Sequence, residues 1–310
     1  MRVLIAAELQ PLLPSDPLPG YGVEWIPSQE PTPRGDYVAI IPLLSRPIGE
    51  GELDGLPNLR VLAQCAVGYD NIDLAAAARR GIPVTNTPDV LTESTADLAW
   101  TLILSVARRT KEAQEVLYQD SWTGWSPTQL LGLELNGSTL GIVGAGRIGQ
   151  AVGRRAVGFG MAVLYSDSEG RPEFEEGVGA SRRDLFALLA ESDVVSVHVP
   201  STNETRGLFD AVRFSSMKPG ALFINTARGD LVDEEALREA LDLGRLGGAG
   251  LDVFSREPDV PRGLVQHPKV VALPHIGSAT TVTRRAMAEL AVENAAAVLD
   301  GRPPVTPVEL

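Results

Sequence analysis

The stretch TLGIVGAGRIGQAVGRRAVGFGMAVLYSD, residues 139–167, constrains the fold more than any other. An apolar run reaches Gly144. The pattern Gly144-x-Gly146-x-x-Gly149 follows and opens a helical stretch, and a second apolar run ends in Asp167. Glycines in this order permit a tight turn and the close approach of a pyrophosphate to the backbone. The helix start then offers unpaired N–H groups and a partial positive charge. An acid about 20 residues further on can take the ribose hydroxyls of NAD and repel the 2′-phosphate of NADP. These residues predict a dinucleotide site, with NADH preferred over NADPH. A glycine turn beside a solvated aspartate is the plainer alternative.

Short Val/Ile/Leu-rich runs at 2–9, 37–43, 59–65, 82–87, 139–144, 162–167, 194–199, 221–225, 248–253 and 269–273 alternate with helical patterns. Their near-continuous apolar character predicts parallel strands buried on both faces. Helices between them make βαβ units and a doubly wound α/β sheet. Long helices are expected over 95–118 and 278–301, the second stopped by Gly301. A chain of 310 residues has room for two domains. We read a dinucleotide-binding domain over 98–280 and a substrate domain made of 1–97 and 281–310. The chain then crosses twice, which suits a hinged cleft that closes and excludes water. Residues 10–36 carry no readable signal.

Composition excludes several classes of partner. The formal net charge of −13 argues against nucleic acid and anionic membrane. No apolar run approaches the roughly 18 to 20 residues of a membrane span. The single cysteine, Cys65, excludes an internal disulfide and fits a reducing cytosol, so a cytoplasmic protein is expected. No metal site is expected. A small anionic substrate would require a local positive spot against this overall field, and arginine, the better fork for a carboxylate, outnumbers the three lysines.

The chain has only three histidines, and His275 lies in LPHIGSAT at the end of an apolar run. Pro274 restrains the residue before it to extended geometry, and Gly277 permits close approach. Ligands of an open α/β sheet bind beyond the carboxyl ends of its strands. Asp167, Thr226, Ala227, Arg228, Asp252 and His275 all stand at such ends. Reduction of a carbonyl needs a proton source and a group that fixes the anion. Histidine supplies the first near neutral pH, arginine the second, and a carboxylate beside the histidine favours imidazolium. Arg228 in NTARGDLVD and Glu257 in DVFSREP are the candidates. Spacing alone leaves open a capping or core-edge histidine, a surface ion pair for Arg228, and a helix-cap or loop acid for Glu257.

NTARGDLVDEEAL, GAGLDVFSREP and LPHIGSAT, with AVGYDNIDLAAAARRGIPVTNTPDVLTESTADLAW upstream, resemble the D-isomer-specific 2-hydroxyacid dehydrogenases from about residue 37 to the end. CAVGYDNID, TPDVLT, WTGWSP and PHIGSAT look most like the glyoxylate/hydroxypyruvate reductase branch. The expected architecture is a Rossmann-type nucleotide-binding domain plus a smaller flavodoxin-like α/β substrate domain. The resemblance implies that Arg228 binds the 2-oxo acid, that His275 is the acid/base and that Glu257 is its partner. It puts Arg147 and Ile148 on the pyrophosphate, Asp167 on the adenosine ribose, and Val199 and Pro200 beside the adenine. Thr226 and Asp252 reach the nicotinamide end, with Thr95 and Gly277 near the cofactor. The backbone of Val67 and Gly68 holds the substrate carboxylate, and Leu44 lines the pocket. A homodimer is implied as well, with Trp125 reaching the other subunit's substrate pocket, although Trp122 and Trp125 could simply pack a loop.

Departures narrow the chemistry. NADP-preferring members replace the ribose acid and follow it with arginine, whereas here Asp167 precedes Ser168, with Arg171 nearby. Phosphite dehydrogenases carry lysine where this chain has Val67, and formate dehydrogenases carry glutamine where it has Glu257. The rival readings are a phosphoglycerate or other D-2-hydroxyacid dehydrogenase and a dinucleotide-sensing corepressor. Cys65 is expected to be a buried small residue, His198 a core residue and His267 a loop residue.

Overall fold

A computed structural model describes residues 1–309. The chain forms two compact units, Thr92–Gly277 and the remainder, Met1–Leu91 with the segment from Ser278 onward.

In the first and last parts of the chain, five strands form one parallel sheet: β1 (Arg2–Ala6), β2 (Gly22–Ile26), β3 (Tyr37–Ile41), β4 (Val61–Ala63) and β5 (Val84–Thr85). Their order β2-β1-β3-β4-β5 is the flavodoxin-like one. β3 is buried along its whole length, as its apolar run requires. β2 falls inside the stretch without a sequence signal. It is an edge strand whose Val23, Glu24 and Trp25 are only half-buried, so neither apolar continuity nor clean alternation marks it. The helix Thr281–Leu299 packs on β3 and β4 and buries small residues such as Ala288, Ala291 and Ala295. Thr280 caps it by accepting from the Thr283 amide at 3.1 Å, and Gly301 leaves it at φ +78°.

Residues Thr92–Gly277 carry seven parallel strands: β6 (Thr139–Val143), β7 (Ala162–Ser166), β8 (Ser181–Arg182), β9 (Val194–Val197), β10 (Leu222–Asn225), β11 (Gly248–Leu251) and β12 (Val270–Ala272). The order β12-β11-β10-β9-β6-β7-β8 reverses direction between β6 and β9. That reversal is the Rossmann switch point, and it places the ligand crevice beyond the ends of β6 and β9.

The helix expected over 95–118 is two helices, Thr92–Ala107 and Thr110–Tyr118. Arg109 between them takes φ 52°, and the Leu133 amide takes the Ala107 carbonyl at 2.9 Å. The helix begins at Thr92, so the units divide at 91/92 and 277/278, against the expected 97/98 and 280/281. Side-chain contacts tie the whole helix to this unit: Arg155 donates to the carboxylates of Glu93 at 2.8 Å and Asp97 at 2.9 Å. Leu102 and Val106 press against Gly250 and Gly248 of β11, and Trp100 donates to the Val152 carbonyl at 3.0 Å while stacking on Phe159. Among the described residues no helix is long and apolar enough to cross a membrane.

Candidate active site

The glycine loop starts where β6 ends. Gly144 takes φ +95°, and a Cβ there would fall 2.8 Å from the backbone of His198 and Val199 just past β9. The helix Arg147–Gly158 begins after Gly146, so its first-turn amides lack helical acceptors. Apart from Gly146 and its chain neighbours, nothing among the described residues lies within 4 Å of where a Gly146 Cβ would stand, leaving room for a ligand against the backbone. Asp167, just past β7, points back to this loop: its Oδ2 accepts from the Ala145 amide at 2.8 Å. Burial pushes the Asp167 carboxyl up, but the Glu169 and Ala145 amides and the Arg171 charge outweigh it and hold the group below its ordinary range.

Three loops beyond β10, β11 and β12 carry Arg228, Glu257 and His275. At the end of β10, buried Asn225 fixes the first of them: its Oδ1 accepts from Ala227 N at 2.9 Å and its Nδ2 donates to the Arg228 carbonyl at 2.8 Å. Gly229 then lets this turn lie against the next loop, since a Cβ there would sit 1.9 Å from the Phe254 carbonyl carbon. That second loop presents Glu257, whose Oε1 accepts from the Phe254 amide at 2.9 Å. Glu257 Oε2 lies 2.7 Å from His275 Nδ1. Burial pushes the Glu257 carboxyl up. The hydrogen bond and charge of His275, the Phe254 amide and the Arg228 charge together hold it below its ordinary range.

His275 itself occupies the left-handed region at φ 54°, an uncommon conformation for a residue with a Cβ. Asp252 holds it there. The His275 amide donates to the Asp252 carbonyl at 2.8 Å, and the Ile276 and Gly277 amides donate to Oδ1 and Oδ2, each at 2.8 Å. Burial pushes the Asp252 carboxyl up to about 6, and the Glu257 charge adds to that, against the pull of the two amides and His275.

Similarity to known proteins decides the family. Residues 100–277 match the model of the D-isomer specific 2-hydroxyacid dehydrogenase, NAD binding domain. The glyoxylate reductase of Thermococcus litoralis is 46% identical over 295 residues, covering 92% of this chain and 89% of that protein. The chain belongs to the D-isomer specific 2-hydroxyacid dehydrogenases.

Two solved structures agree with this dehydrogenase over nearly all of its length. A protein from Thermus thermophilus has a TM-score of 0.90 at 45% identity and covers 100% of both chains. The NADPH-dependent glyoxylate/hydroxypyruvate reductase of Sinorhizobium meliloti, in complex with NADP and malonate, has a TM-score of 0.87 at 36% identity and covers 99% and 96%. The dehydrogenase uses a nicotinamide cofactor, and its own residues fit one. Beyond the open backbone at Gly146, Thr226 keeps a buried Oγ1 with no partner among the described residues, an orphan that a bound amide could satisfy. Thr95 is buried beside Gly277: a Cβ on Gly277 would meet its Cγ2 at 3.4 Å.

The dehydrogenase unit thus brings together Arg228, Glu257, His275, Asp252 and Gly277, and separately the glycine loop with Asp167 and Val199. Thr226 and Ala227 lead into Arg228, and Pro200 follows Val199 at the end of β9. Leu44, Val67 and Gly68 belong to the other unit, and Trp125 is 81% exposed. The other histidines have ordinary partners. His198 Nε2 lies 2.8 Å from Ser196 Oγ, and burial pushes its ring down to about 3. His267 Nδ1 accepts from the Lys269 amide at 3.1 Å. Cys65 is buried, which pushes its thiol up to about 12 and leaves it unreactive. Asn225 was not singled out in the sequence; an Asn ending a strand two residues before a loop amide it can accept from is the signal that marks it.

Proposed function

We propose that the dehydrogenase reduces a short 2-oxo acid, glyoxylate or hydroxypyruvate, to the 2-hydroxy acid, of D hand where the product is chiral. The 2.7 Å pair of Glu257 and His275 beside the Arg228 turn carries this reading. When bound, the reduced nicotinamide supplies the hydride. His275 uses Nδ1 on Glu257, so Nε2 is the nitrogen that gives the proton to the substrate oxygen. Arg228 pairs with the 2-oxo acid and polarises it. The amides of Val67 and Gly68 take the substrate carboxylate, and Leu44 lines the pocket. Arg228 and these amides are the local positive spot that a chain of net charge −13 needs for an anionic substrate.

Thr92–Gly277 is read as the dinucleotide-binding domain and the rest as the substrate domain. NADH is the preferred cofactor, because the Asp167 carboxylate would face a 2′-phosphate with its own charge. Arg147, Ile148 and Gly149 hold the pyrophosphate, with Val199 and Pro200 beside the adenine. The enzyme works in the cytosol as a homodimer. The exposed Leu117, Tyr118, Trp122, Trp125 and Leu131 support the pairing, with Trp125 entering the partner's pocket. Phosphoglycerate oxidation and a corepressor role are not favoured, given the glyoxylate reductase relative.

A panel of 2-oxo acids, each assayed with NADH and with NADPH, tests the reading. Glyoxylate and hydroxypyruvate should consume NADH fastest. Tight NADH binding with no turnover of any 2-oxo acid would instead favour a sensor.

A further inference from the structure

The turn read above as the carboxylate site has all three of its carbonyls held from behind. Ala66 O accepts from the Thr87 amide at 2.9 Å, Val67 O from Asn86 Nδ2 at 2.8 Å, and Gly68 O from Gln64 Nε2 at 3.3 Å. A trans peptide is planar with its C=O and N–H opposed, so fixing one carbonyl fixes the next residue's N–H. These bonds therefore aim the N–H groups of Val67, Gly68 and Tyr69 away from the groups that hold the carbonyls. Among the described residues none of these three amides donates to a protein acceptor.

We infer that Asn86 and Gln64 are positioning residues for substrate: Asn86, through the Val67 carbonyl, pre-orients the Gly68 amide toward an anion, and Gln64, through the Gly68 carbonyl, does the same for the Tyr69 amide. The inference rests on the reading that this turn binds the substrate carboxylate.

Each of the two side chains is itself braced. Gln64 is fully buried, and its Nε2 also donates to Asn71 Oδ1 at 2.8 Å. Asn71 cannot be flipped, because its Nδ2 donates to the carbonyls of Arg46 at 2.7 Å and Leu43 at 3.3 Å. Gln64 Oε1 is buried with no partner among the described residues, so the donating end alone sets the orientation of this amide. A buried orphan oxygen is a cost that an apolar residue would avoid. What Gln64 gains for it is a donor under Gly68.

Asn86 is held by the C-terminal tail. Thr306 Oγ1 donates to the Asn86 carbonyl at 2.6 Å, and the Asn86 amide donates to the Thr306 carbonyl at 3.3 Å. Asn294, fully buried on the helix Thr281–Leu299, grips Thr306 from the other side: its Oδ1 accepts from Thr306 N at 2.9 Å, and its Nδ2 donates to Thr306 Oγ1 at 2.8 Å. One brace thus runs from Asn294 through Thr306 and Asn86 to the Val67 carbonyl. Amides fixed in advance need no reorganisation when the anion arrives, which is the condition under which backbone dipoles bind charge well.

The test compares Asn86→Ala and Gln64→Met with wild type in the full-length enzyme. The readouts are the KM for glyoxylate and for NADH, kcat, inhibition by oxamate, and thermal midpoint. Methionine keeps the length of Gln64 without its donors. We expect the glyoxylate KM and the oxamate inhibition constant to rise together, by about tenfold, the factor for one hydrogen bond of about 1.4 kcal/mol. The NADH KM should stay within about twofold of wild type. A folded variant with wild-type glyoxylate KM and oxamate inhibition overturns the inference and leaves the proposed reaction standing. A wild-type enzyme that turns over glyoxylate, yet whose NADH and glyoxylate KM values rise equally in both variants, assigns these residues to the fold and also overturns it. If wild type turns over no 2-oxo acid, the underlying reading fails, and the inference with it. Should Asn86→Ala not fold, Asn86→Ser, which keeps a shorter donor, carries the same comparison.

Discussion

Glu257 Oε2 and His275 Nδ1 are 2.7 Å apart, and the same carboxylate takes the Phe254 amide through Oε1, so both oxygens of Glu257 are committed. The ring is left with Nε2 as its outward nitrogen. In Glu257→Gln the shape is kept and the charge facing the ring is lost. The kcat for reduction at neutral pH should then fall on the order of tenfold or more. Steady-state kinetics measure this; an unchanged kcat would break the pairing. The carboxyl's contribution to stability has its own sign. Held below its ordinary range in the fold, it stabilises above that range and loses the contribution as pH falls through the folded value.

Arg228→Ala should cost turnover of 2-oxo acid far more than cofactor affinity. Removing a charge-assisted fork from the reacting anion should lower kcat/KM for glyoxylate on the order of 10²- to 10³-fold. The Kd for NADH, followed by fluorescence, should move little, because the glycine loop and Asp167 lie beyond other strands. A parallel fall in both constants would mean a loss of folding rather than of substrate contact.

Asp252 carries the opposite pH sign from Glu257. Its carboxyl, pushed up to about 6, holds its proton more tightly in the folded chain than in the unfolded one. The resulting stability is present below the ordinary aspartate value and is lost as pH rises through about 6. Asp252→Asn should be less stable than wild type, since one amide oxygen cannot replace two acceptors for Ile276 and Gly277. Its deficit in thermal midpoint should narrow between about pH 4 and about pH 7. A deficit that widens over this interval would show that the ionised form is the one the fold prefers.

Asp167→Ser tests cofactor choice. Arg171 Nη2 lies 3.3 Å from the Asp167 carboxylate, and Arg182 donates to the carbonyls of Asp167 and Ser168 at 2.9 and 2.7 Å. Without the acid, two guanidinium groups remain at the ribose end and no carboxylate opposes a 2′-phosphate. The ratio of kcat/KM with NADPH to that with NADH should rise by about tenfold or more. A ratio unchanged by the substitution would place the preference elsewhere.

Much of the protein was legible along the chain because it is written in local patterns. Apolar runs of strand length gave the parallel sheets, and Gly144, Gly146, Gly149 and Asp167 marked the cofactor loop. His275, one of only three histidines, and Arg228 stood out just past strand ends, and Glu257 as an acid in a nearby loop. Other features depend on distance in space. Period alone cannot show that Arg109 leaves the helical region and divides one predicted helix into two, or that the half-exposed run Gly22–Ile26 finds a neighbour in β1. Glu257 meets His275 across 18 residues, and Thr306 meets Asn86 across 220. Sequence fixes which donors and acceptors exist. Only the packed backbone decides which of them come within hydrogen-bonding reach, and so which carboxylate faces the imidazole and which turn amides find no acceptor among the described residues.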